Sequence, residues 1–181
     1  ITHHKILVAK GCFKVGLYKQ GLLHDMSKYS PTEFWVGAKY YQGTRSPNNA
    51  EREDIGYSSA WLHHKGRNKH HYEYWIDYSM QALPGGMAPV PMPDKYIAEM
   101  IMDRIAASKV YMGGEYMDRS PLDYYYQGTD RAPIHPETKA KLLYVLEMLA
   151  EEGEEKTFRF IKKELVQQKR CMDWHQLKKA E

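Results

Sequence analysis

Apolar residues recur at the three- and four-residue spacing of an α-helix along most of the chain. No convincing run alternates apolar and polar side chains as a half-buried strand does. The 181 residues suffice for one domain with a hydrophobic core, and 43% apolar residues is a globular composition. The sequence therefore predicts a single-domain, all-α helical bundle.

Helix start and stop signals divide this pattern into segments. Ser30 is a predicted N-cap, with Pro31 in the first turn and Glu33 at the capping-box position. Loops are predicted at residues 42–49 and 83–93, and an irregular lid or surface excursion at residues 113–134. We expect helices over residues 2–17, 19–25, 30–41, 50–64, 70–81, 93–112, 136–151 and 154–169.

Charge, cysteine content and hydropathy narrow the class of partner. The net charge of +3 is compatible with an anionic substrate but too small to indicate nucleic-acid binding. Cys12 and Cys171 have no close metal-binding spacing and favour a reduced cytoplasm over a secreted scaffold. No stretch approaches the ~18–20 apolar residues of a membrane span, and the first residues do not resemble a signal peptide. We expect a cytoplasmic protein with no membrane partner.

Histidine is the anomaly in the composition, because six of the nine histidines form the adjacent pairs His3-His4, His63-His64 and His70-His71. Helical phase predicts which members face the core. His4 lies on the apolar stripe of the first helix, and His64 on that of the fourth. For the third pair, the phase slightly favours His71. Both of its members lie at a helix start, where phase is least reliable, so the choice stays open.

Two acidic positions complete a candidate metal site. Asp103 lies on the same stripe as Met100 and Ala107, in a helix that is apolar on most of its surface. An ionised carboxylate that faces a core is costly unless it is paired or binds a metal. His24 and Asp25 diverge by about 100° on a helix, but both reach one cluster if the helix passes beside it. Six imidazole and carboxylate ligands without thiolate favour an octahedral or dinuclear site over a structural zinc.

This order of residues resembles the HD superfamily of helical metal hydrolases. An isolated His4 precedes the pair His24-Asp25, further histidines follow, and the distant Asp103 ends the set. Extra histidines between the pair and the last aspartate are similar to those of the dinuclear members. Those members include the HD-GYP cyclic-dinucleotide phosphodiesterases and diiron oxygenases related to inositol oxygenase. The Gly-Tyr-Pro element is missing here, which argues against a cyclic dinucleotide as substrate.

The chain resembles the uncharacterised family DUF5662 more closely. The matching strings are HDMSKYSPTEF at residues 24–34, AWLHH at 60–64, NKHHYEYW at 68–75, and the segment 92–104. The resemblance covers residues 4–110. It implies a metal-binding core over about residues 1–112, followed by the irregular segment and closing helices over 135–170. The implied ligands for one or two ions of Mn, Fe, Co, Zn or Mg are His4, His24, Asp25, His64, His70, His71 and Asp103.

The superfamily resemblance implies hydrolysis of a nucleotide or other small phosphoester. Asp25 would orient the attacking water, and Lys28, one turn later, would contact phosphate. Arg67, Lys69 and Arg104 are further candidates for phosphate binding, although the first two are more typical of solvated loop charges. Glu33 or Glu73 would orient imidazoles. Nucleobase stacking is a minority interpretation for the aromatic residues Tyr40, Tyr41, Trp61, Tyr72 and Trp75.

Three alternatives stay open at this point. A diiron oxygenase would use the same ligands, and a non-catalytic module would retain the metal without turnover. Lys28 instead caps the carboxyl end of its helix in a purely structural interpretation. His135 and His175 are expected to be ordinary helix-end or surface residues, and Tyr124–Tyr126 to contribute to packing more than to a lid.

Overall fold

The computed structural model of the protein describes residues 1–43, 45–81, 84–128 and 132–167. The helices are α1 (Thr2–Val15), α2 (Tyr18–Leu23), α3 (Pro31–Lys39), α4 (Pro47–Ile55), α5 (Ser59–Lys65), α6 (Asp94–Met112), α7 (Ser120–Gly128) and α8 (Pro136–Phe160). A π-helical segment, Ile161–Val166, follows α8. Short 3₁₀ turns occur at Met26–Tyr29, Tyr72–Trp75, Pro84–Gly86 and Gly113–Glu115. The predicted all-α class is confirmed.

The core forms where α1 and α8 pack against α6. Val8, Cys12 and Val15 recur at helical spacing on the inner face of α1, and all three are fully buried. The matching positions of α6 and α8 are apolar too, and they include Ile97, Ile101, Ile105, Leu142, Leu146 and Leu149. This packing fixes the first turn of α1 against the middle of α6.

Local signals at the helix ends account for most of the boundaries. The Ser30 hydroxyl accepts a hydrogen bond from the Glu33 amide at 3.4 Å, and Pro31 occupies the first turn of α3, as predicted. Gly16 ends α1 with φ 89° and Gly56 ends α4 with φ 82°, a conformation in which a side chain is strained.

The single helix predicted over residues 50–64 is wrong, because two helices, α4 and α5, cover this stretch. α4 begins at Pro47, so the loop predicted at residues 42–49 is too long. Gly56 stops α4 in the left-handed conformation, and the Ser58 hydroxyl then caps α5 by accepting from the Trp61 amide at 3.0 Å. The break changes the direction of the chain before His64. α5 therefore approaches the core at an angle that one continuous helix would not give.

The helix predicted over residues 70–81 is also wrong. His70 and His71 lie in a loop, a 3₁₀ turn follows, and residues Ile76–Tyr78 form strand β1. β1 pairs with the antiparallel strand β2 (Met87–Pro89), in the segment predicted to be a loop, with Ile76 opposite Pro89. Pairing with a segment about ten residues away overrides the local helical spacing.

One further prediction needs correction, and one predicted boundary is confirmed. Residues 113–134 are not irregular throughout, because α7 occupies Ser120–Gly128 and Tyr125 is completely buried in the core. The boundary predicted between residues 151 and 154 falls at Gly153, where φ 78° and ψ 171° interrupt α8. Cys171, His175 and the predicted helix end at residue 169 lie outside the described residues.

α2 packs directly on α1, at a point where little space separates the two helices. A Cβ atom at Gly21 would lie 2.9 Å from Cys12 Cβ and 2.9 Å from the ring of Phe13. Gly21 is buried and lies two residues before α2 ends at Leu23. Over the described part of the chain, no helix combines the length and the apolarity needed to cross a membrane.

Candidate metal centre

The His24-Asp25 pair lies at a break in the helical chain. The prediction that α2 continues through both residues is wrong, because α2 ends at Leu23 and His24 is extended (φ −51°, ψ 129°). Asp25 adopts the left-handed conformation with φ 53°, which aspartate tolerates better than most residues. The break turns both side chains toward the interior, where each is 1% exposed.

One group of ligand atoms gathers where α1, the break and α6 meet. It consists of His4, His24, Asp25 and Asp103, each offering an atom within 4.8 Å of the others. His4 Nε2 lies 2.9 Å from Asp103 Oδ1 and 3.9 Å from Asp25 Oδ2. His24 Nε2 lies 3.4 Å from Asp25 Oδ2 and 3.5 Å from Asp103 Oδ1.

A second group shares Asp25 with the first. It consists of Asp25, His64, His70 and His71, again with ligand atoms within 4.8 Å of one another. His64 Nε2 and His70 Nε2 lie 3.2 and 3.4 Å from Asp25 Oδ1, and His64 Nε2 lies 2.9 Å from His71 Nε2. Asp25 therefore presents Oδ2 to one group and Oδ1 to the other. Both members of the His70-His71 pair belong to the cluster.

Several of these atoms lack the hydrogen bonds that burial ordinarily requires. Among the described residues, His4 Nε2, His24 Nε2, His70 Nε2 and both carboxylate oxygens of Asp25 are buried with no partner in hydrogen-bonding geometry. An unsatisfied buried polar group costs about 1–3 kcal/mol, and more if it is charged. Imidazole nitrogens and carboxylate oxygens that converge in this way are the donor set of a divalent metal. The residues present can hold a metal ion.

Two glutamates hold the outer nitrogens of the imidazoles. Glu99 Oε1 accepts from His24 Nδ1 at 2.9 Å and lies 3.2 Å from His70 Nδ1, so one carboxylate serves an imidazole of each group. Glu33 Oε2 accepts from His64 Nδ1 at 2.7 Å. A partner on Nδ1 orients the ring and directs Nε2 into the cluster.

Glu33 was among the predicted orienting residues, but Glu99 was missed. Its signal in the sequence is its spacing of four residues before Asp103, which places both carboxylates on one face of α6. Glu73, the other candidate, interacts instead with Tyr72 and Arg104.

Further polar contacts around α5 were not predicted. Glu33 Oε1 also accepts from His63 Nδ1 at 2.6 Å, although helical phase selected only His64 of that pair as facing the core. Asn68 donates to Ser27 Oγ at 2.7 Å and to the His64 carbonyl at 2.8 Å. These bonds tie the turn after Asp25 to the end of α5, and thereby fix His64 relative to Asp25.

The electrostatics of the cluster favour a cation. Burial opposes ionisation of Asp25, but Lys28 and His24 outweigh it and hold the pKa of that carboxyl well below its usual range. The close approach of the His24 and His4 imidazoles likewise holds the pKa of Asp103 well below its usual range, against the effect of burial. Burial and the neighbouring His70 lower the pKa of His71, so that its imidazole is neutral and free to donate a lone pair.

The pKa of His24 shifts in the opposite direction to that of His71. Burial by itself would lower the pKa of its imidazole, but Asp25, Asp103 and Glu99 together raise that pKa well above the usual value. A proton on His24 Nε2 therefore neutralises part of the acidic cluster. A bound cation would take over that role and displace the proton.

Lys28 lies against the shared carboxylate. Its Nζ is 2.5 Å from Asp25 Oδ2, and about a third of the side chain is exposed, so Lys28 lies between the cluster and the surface. The pKa of Lys28 is raised because Asp25 and Asp103 outweigh the effect of burial.

Of the other predicted phosphate-binding residues, Arg104 lies beside the ligand groups, whereas Arg67 and Lys69 do not. Arg104 is largely buried beside Asp103, where it interacts with Tyr72 and Tyr124. The structure does not bring Arg67 or Lys69 to the ligand groups. The exposed Arg67 donates to the His63 carbonyl, and the ammonium of Lys69 lies 5.4 Å from the centre of the Tyr74 ring.

Most of the aromatic residues considered for stacking contribute to packing. Trp61 stacks on His64 with 5.5 Å between the ring centroids, and Trp75 packs against Tyr96. The Tyr40 hydroxyl donates to Asp54, and Tyr72 packs against the core. Tyr41 remains exposed. Separately, His135 caps α8 by accepting from the Glu137 amide, as expected of a helix-end residue.

Comparison with known proteins identifies a family but no function. Residues 1–148 match the family of unknown function DUF5662, and the chain belongs to that family. A search of the curated proteins and a search of the solved structures return no match. The matched segment contains every residue of the two ligand groups.

Proposed function

We propose that this DUF5662 member is a metal-dependent phosphohydrolase of the HD type, acting on a nucleotide or other small phosphoester. One observation carries the proposal: buried nitrogens of His4, His24 and His70 converge with both oxygens of Asp25 and lack hydrogen-bonding partners. Charged neighbours such as Lys28 compensate these atoms in part, but burying several of them without hydrogen bonds is still destabilising. A cation compensates all of them together.

The arrangement of the ligands supports two ions. His4, His24 and Asp103 with Asp25 Oδ2 would hold one, and His64, His70 and His71 with Asp25 Oδ1 the other. Divalent ions bound there would supply Lewis acidity toward phosphate oxygens and lower the pKa of a coordinated water. Mn, Fe, Co, Zn and Mg are all compatible with nitrogen and oxygen ligands.

The chain's own residues then have distinct tasks. Lys28, about a third exposed and in contact with Asp25, binds a non-bridging phosphate oxygen with its ammonium group. Asp25, which faces both ligand groups, would orient the attacking water with one of its carboxylate oxygens. Glu99 and Glu33 keep the imidazoles directed inward. Arg104, which interacts electrostatically with Asp103, adds positive charge near the cluster.

A diiron oxygenase is the second candidate, favoured by the three imidazoles of the group around His71. It would also use Asp25 as a shared ligand. Iron content together with substrate-dependent oxygen consumption would support it over the hydrolase. A metal-binding module without turnover would retain the ions and show neither activity.

The proposal is tested with the full chain purified without chelator. Elemental analysis is followed by a panel of phosphomonoesters and phosphodiesters with Mn, Fe, Co, Ni and Mg. We expect Asp25→Ala and Asp103→Ala to lose both metal and activity while the helical circular dichroism signal stays largely intact. Asp123→Ala, at a half-exposed position of α7 paired with Arg119, is the control. Full activity in a metal-free Asp25→Ala protein would refute the mechanism.

A further inference from the structure

His71 differs from the other two imidazoles of the second ligand group in how its ring is held. His64 and His70 each have a glutamate oxygen beside Nδ1, at 2.7 and 3.2 Å, which orients the ring. Among the described residues, no carboxylate forms a hydrogen bond or an ion pair with His71. The orientation of the His71 imidazole therefore depends on another kind of contact.

Three aromatic rings surround His71 instead. The ring centroid of Trp61 lies 4.7 Å from that of His71 in an edge-to-face arrangement. The ring centroids of His70 and His64 lie 4.1 and 4.8 Å from that of His71, with tilted planes. Aromatic pairs favour such edge-to-face geometry. Of the three rings, Trp61 alone is not a candidate ligand, and it also stacks on His64.

Trp61 is itself held from outside the cluster. Its amide donates to Ser58 Oγ at 3.0 Å in the first turn of α5, and the Ser58 hydroxyl donates to the buried Glu51 of α4 at 2.6 Å. The guanidinium carbon of Arg52, also on α4, lies 5.7 Å from the centre of the Trp61 ring. The indole therefore connects the imidazoles of the second group to α4 through residues that bind no metal.

We propose that Trp61 is a positioning residue for the second ligand group, which holds the His71 ring, and through it the second metal ion, in place of a carboxylate. The assignment rests on the proposed function, because it takes one ion to occupy each group. Among the described residues, Trp61 makes ring contacts with His64 and His71 but with no imidazole of the first group. The two ions are therefore unequal, because only the second depends on Trp61.

Two substitutions separate the aromatic ring from its apolar bulk. Trp61→Leu removes both ring contacts, and Trp61→Phe restores an aromatic ring. Trp61→Met, which fills more space, takes the place of the leucine variant if that variant loses its helical circular dichroism signal. Trp35→Leu is the matched control, because Trp35 is 68% exposed on α3 and its ring packs against Phe34.

Competition with a chromophoric chelator measures the two binding steps of Zn on the full chain, and the ion that His71→Ala weakens is the second. Trp61→Leu should weaken that ion by about 5- to 150-fold, the equivalent of two lost aromatic contacts, and leave the first ion within about twofold of the wild type. Trp61→Phe should bind both ions within about threefold of the wild type, because one ring replaces the other. Both affinities should be unchanged in Trp35→Leu.

The double variant Trp61→Leu/His71→Ala shows whether Trp61 acts through His71. If the indole works by holding that imidazole, its removal has little left to affect once the imidazole is gone. Trp61→Leu should then weaken the second ion by less than about threefold in the His71→Ala background, whereas independent effects would multiply. A general loss of packing would not give this coupling.

Three results would each overturn the assignment. They are equal weakening of both ions in Trp61→Leu, an unchanged second ion in that variant, and an effect of the same size with and without His71. Each of them leaves the proposed function standing, because the wild-type protein still binds two ions. A wild-type protein that takes up no metal would refute the proposed function, and the role of Trp61 with it.

Discussion

Glu99 provides the sharpest test of how the imidazoles are held. Its Oε1 accepts from His24 Nδ1 at 2.9 Å and lies 3.2 Å from His70 Nδ1, so it supports one ligand of each group. Glu99→Gln preserves the size of the side chain but removes its negative charge. The amide oxygen is also a weaker acceptor for two ring N–H groups. We therefore expect both groups to lose affinity for metal.

The magnitude follows from the number of imidazoles affected. Loss of an orienting partner typically reduces metal affinity by about 10- to 100-fold, which is about 1.4–2.8 kcal/mol. Because Glu99 serves one imidazole in each group, a loss of this size is expected for each of two ions. A variant that affects a single group would show one weakened ion and one unaffected ion.

Competition with a chromophoric chelator measures both binding steps for Mn or Zn. Glu155→Gln, at an exposed position of α8 with a side chain paired only to Arg159 among described residues, serves as the control. The helical circular dichroism signal should match that of the wild type. Affinities for both ions within twofold of the wild type would refute the reasoning, since they would mean that Glu99 does not orient either ring.

Three further outcomes can be checked with the same protein. The raised pKa of His24 means that metal binding displaces a proton. Metal affinity should therefore rise with pH through the neutral range, by up to about tenfold per pH unit for each proton released. A metal affinity that does not change with pH in calorimetry would contradict this. Lys28→Met should retain metal but lower kcat/KM for a phosphoester by about 10- to 150-fold, which corresponds to the loss of one charged hydrogen bond. A change in kcat/KM of less than twofold in steady-state kinetics would exclude a role of Lys28 in phosphate binding. Leu146→Ala, at a completely buried position, should reduce the free energy of unfolding in urea by about 2–5 kcal/mol, and a change below about 1 kcal/mol would show that the site is not core.

Helical periodicity was sufficient to predict the helices that bury one continuous face. The stripe of His4, Val8 and Cys12 was predicted from spacing alone, and so were the extent of α6 and the inward position of Asp103. These features depend on the 3.6-residue repeat, which is local to the sequence. The gathering of the seven predicted ligand residues followed from their order along the chain and from the family resemblance.

The errors occur where the conformation depends on single residues or on distant contacts. Tryptophan and tyrosine spacing around Trp75 suits a helix, but β1 forms because it pairs with β2. The left-handed conformation of Asp25 leaves no mark on hydrophobic periodicity. A helix carboxylate such as Glu99 resembles a solvated surface charge until the opposite imidazoles are known. The end of α4 at Gly56 was readable, because a glycine followed by a serine cap is a helix-stop and helix-start signal.

The close approach of α2 to α1 has a consequence for evolution at the centre. Gly21 touches no ligand, but it stands three positions before His24, and an added methyl group would collide with Cys12 Cβ. To relieve that collision α1 or α2 must shift, and a shift of α2 would displace His24 and the shared aspartate that follow it. A lineage can therefore lose the centre through a change at a residue with no side chain of its own, while all seven ligand residues remain in the sequence.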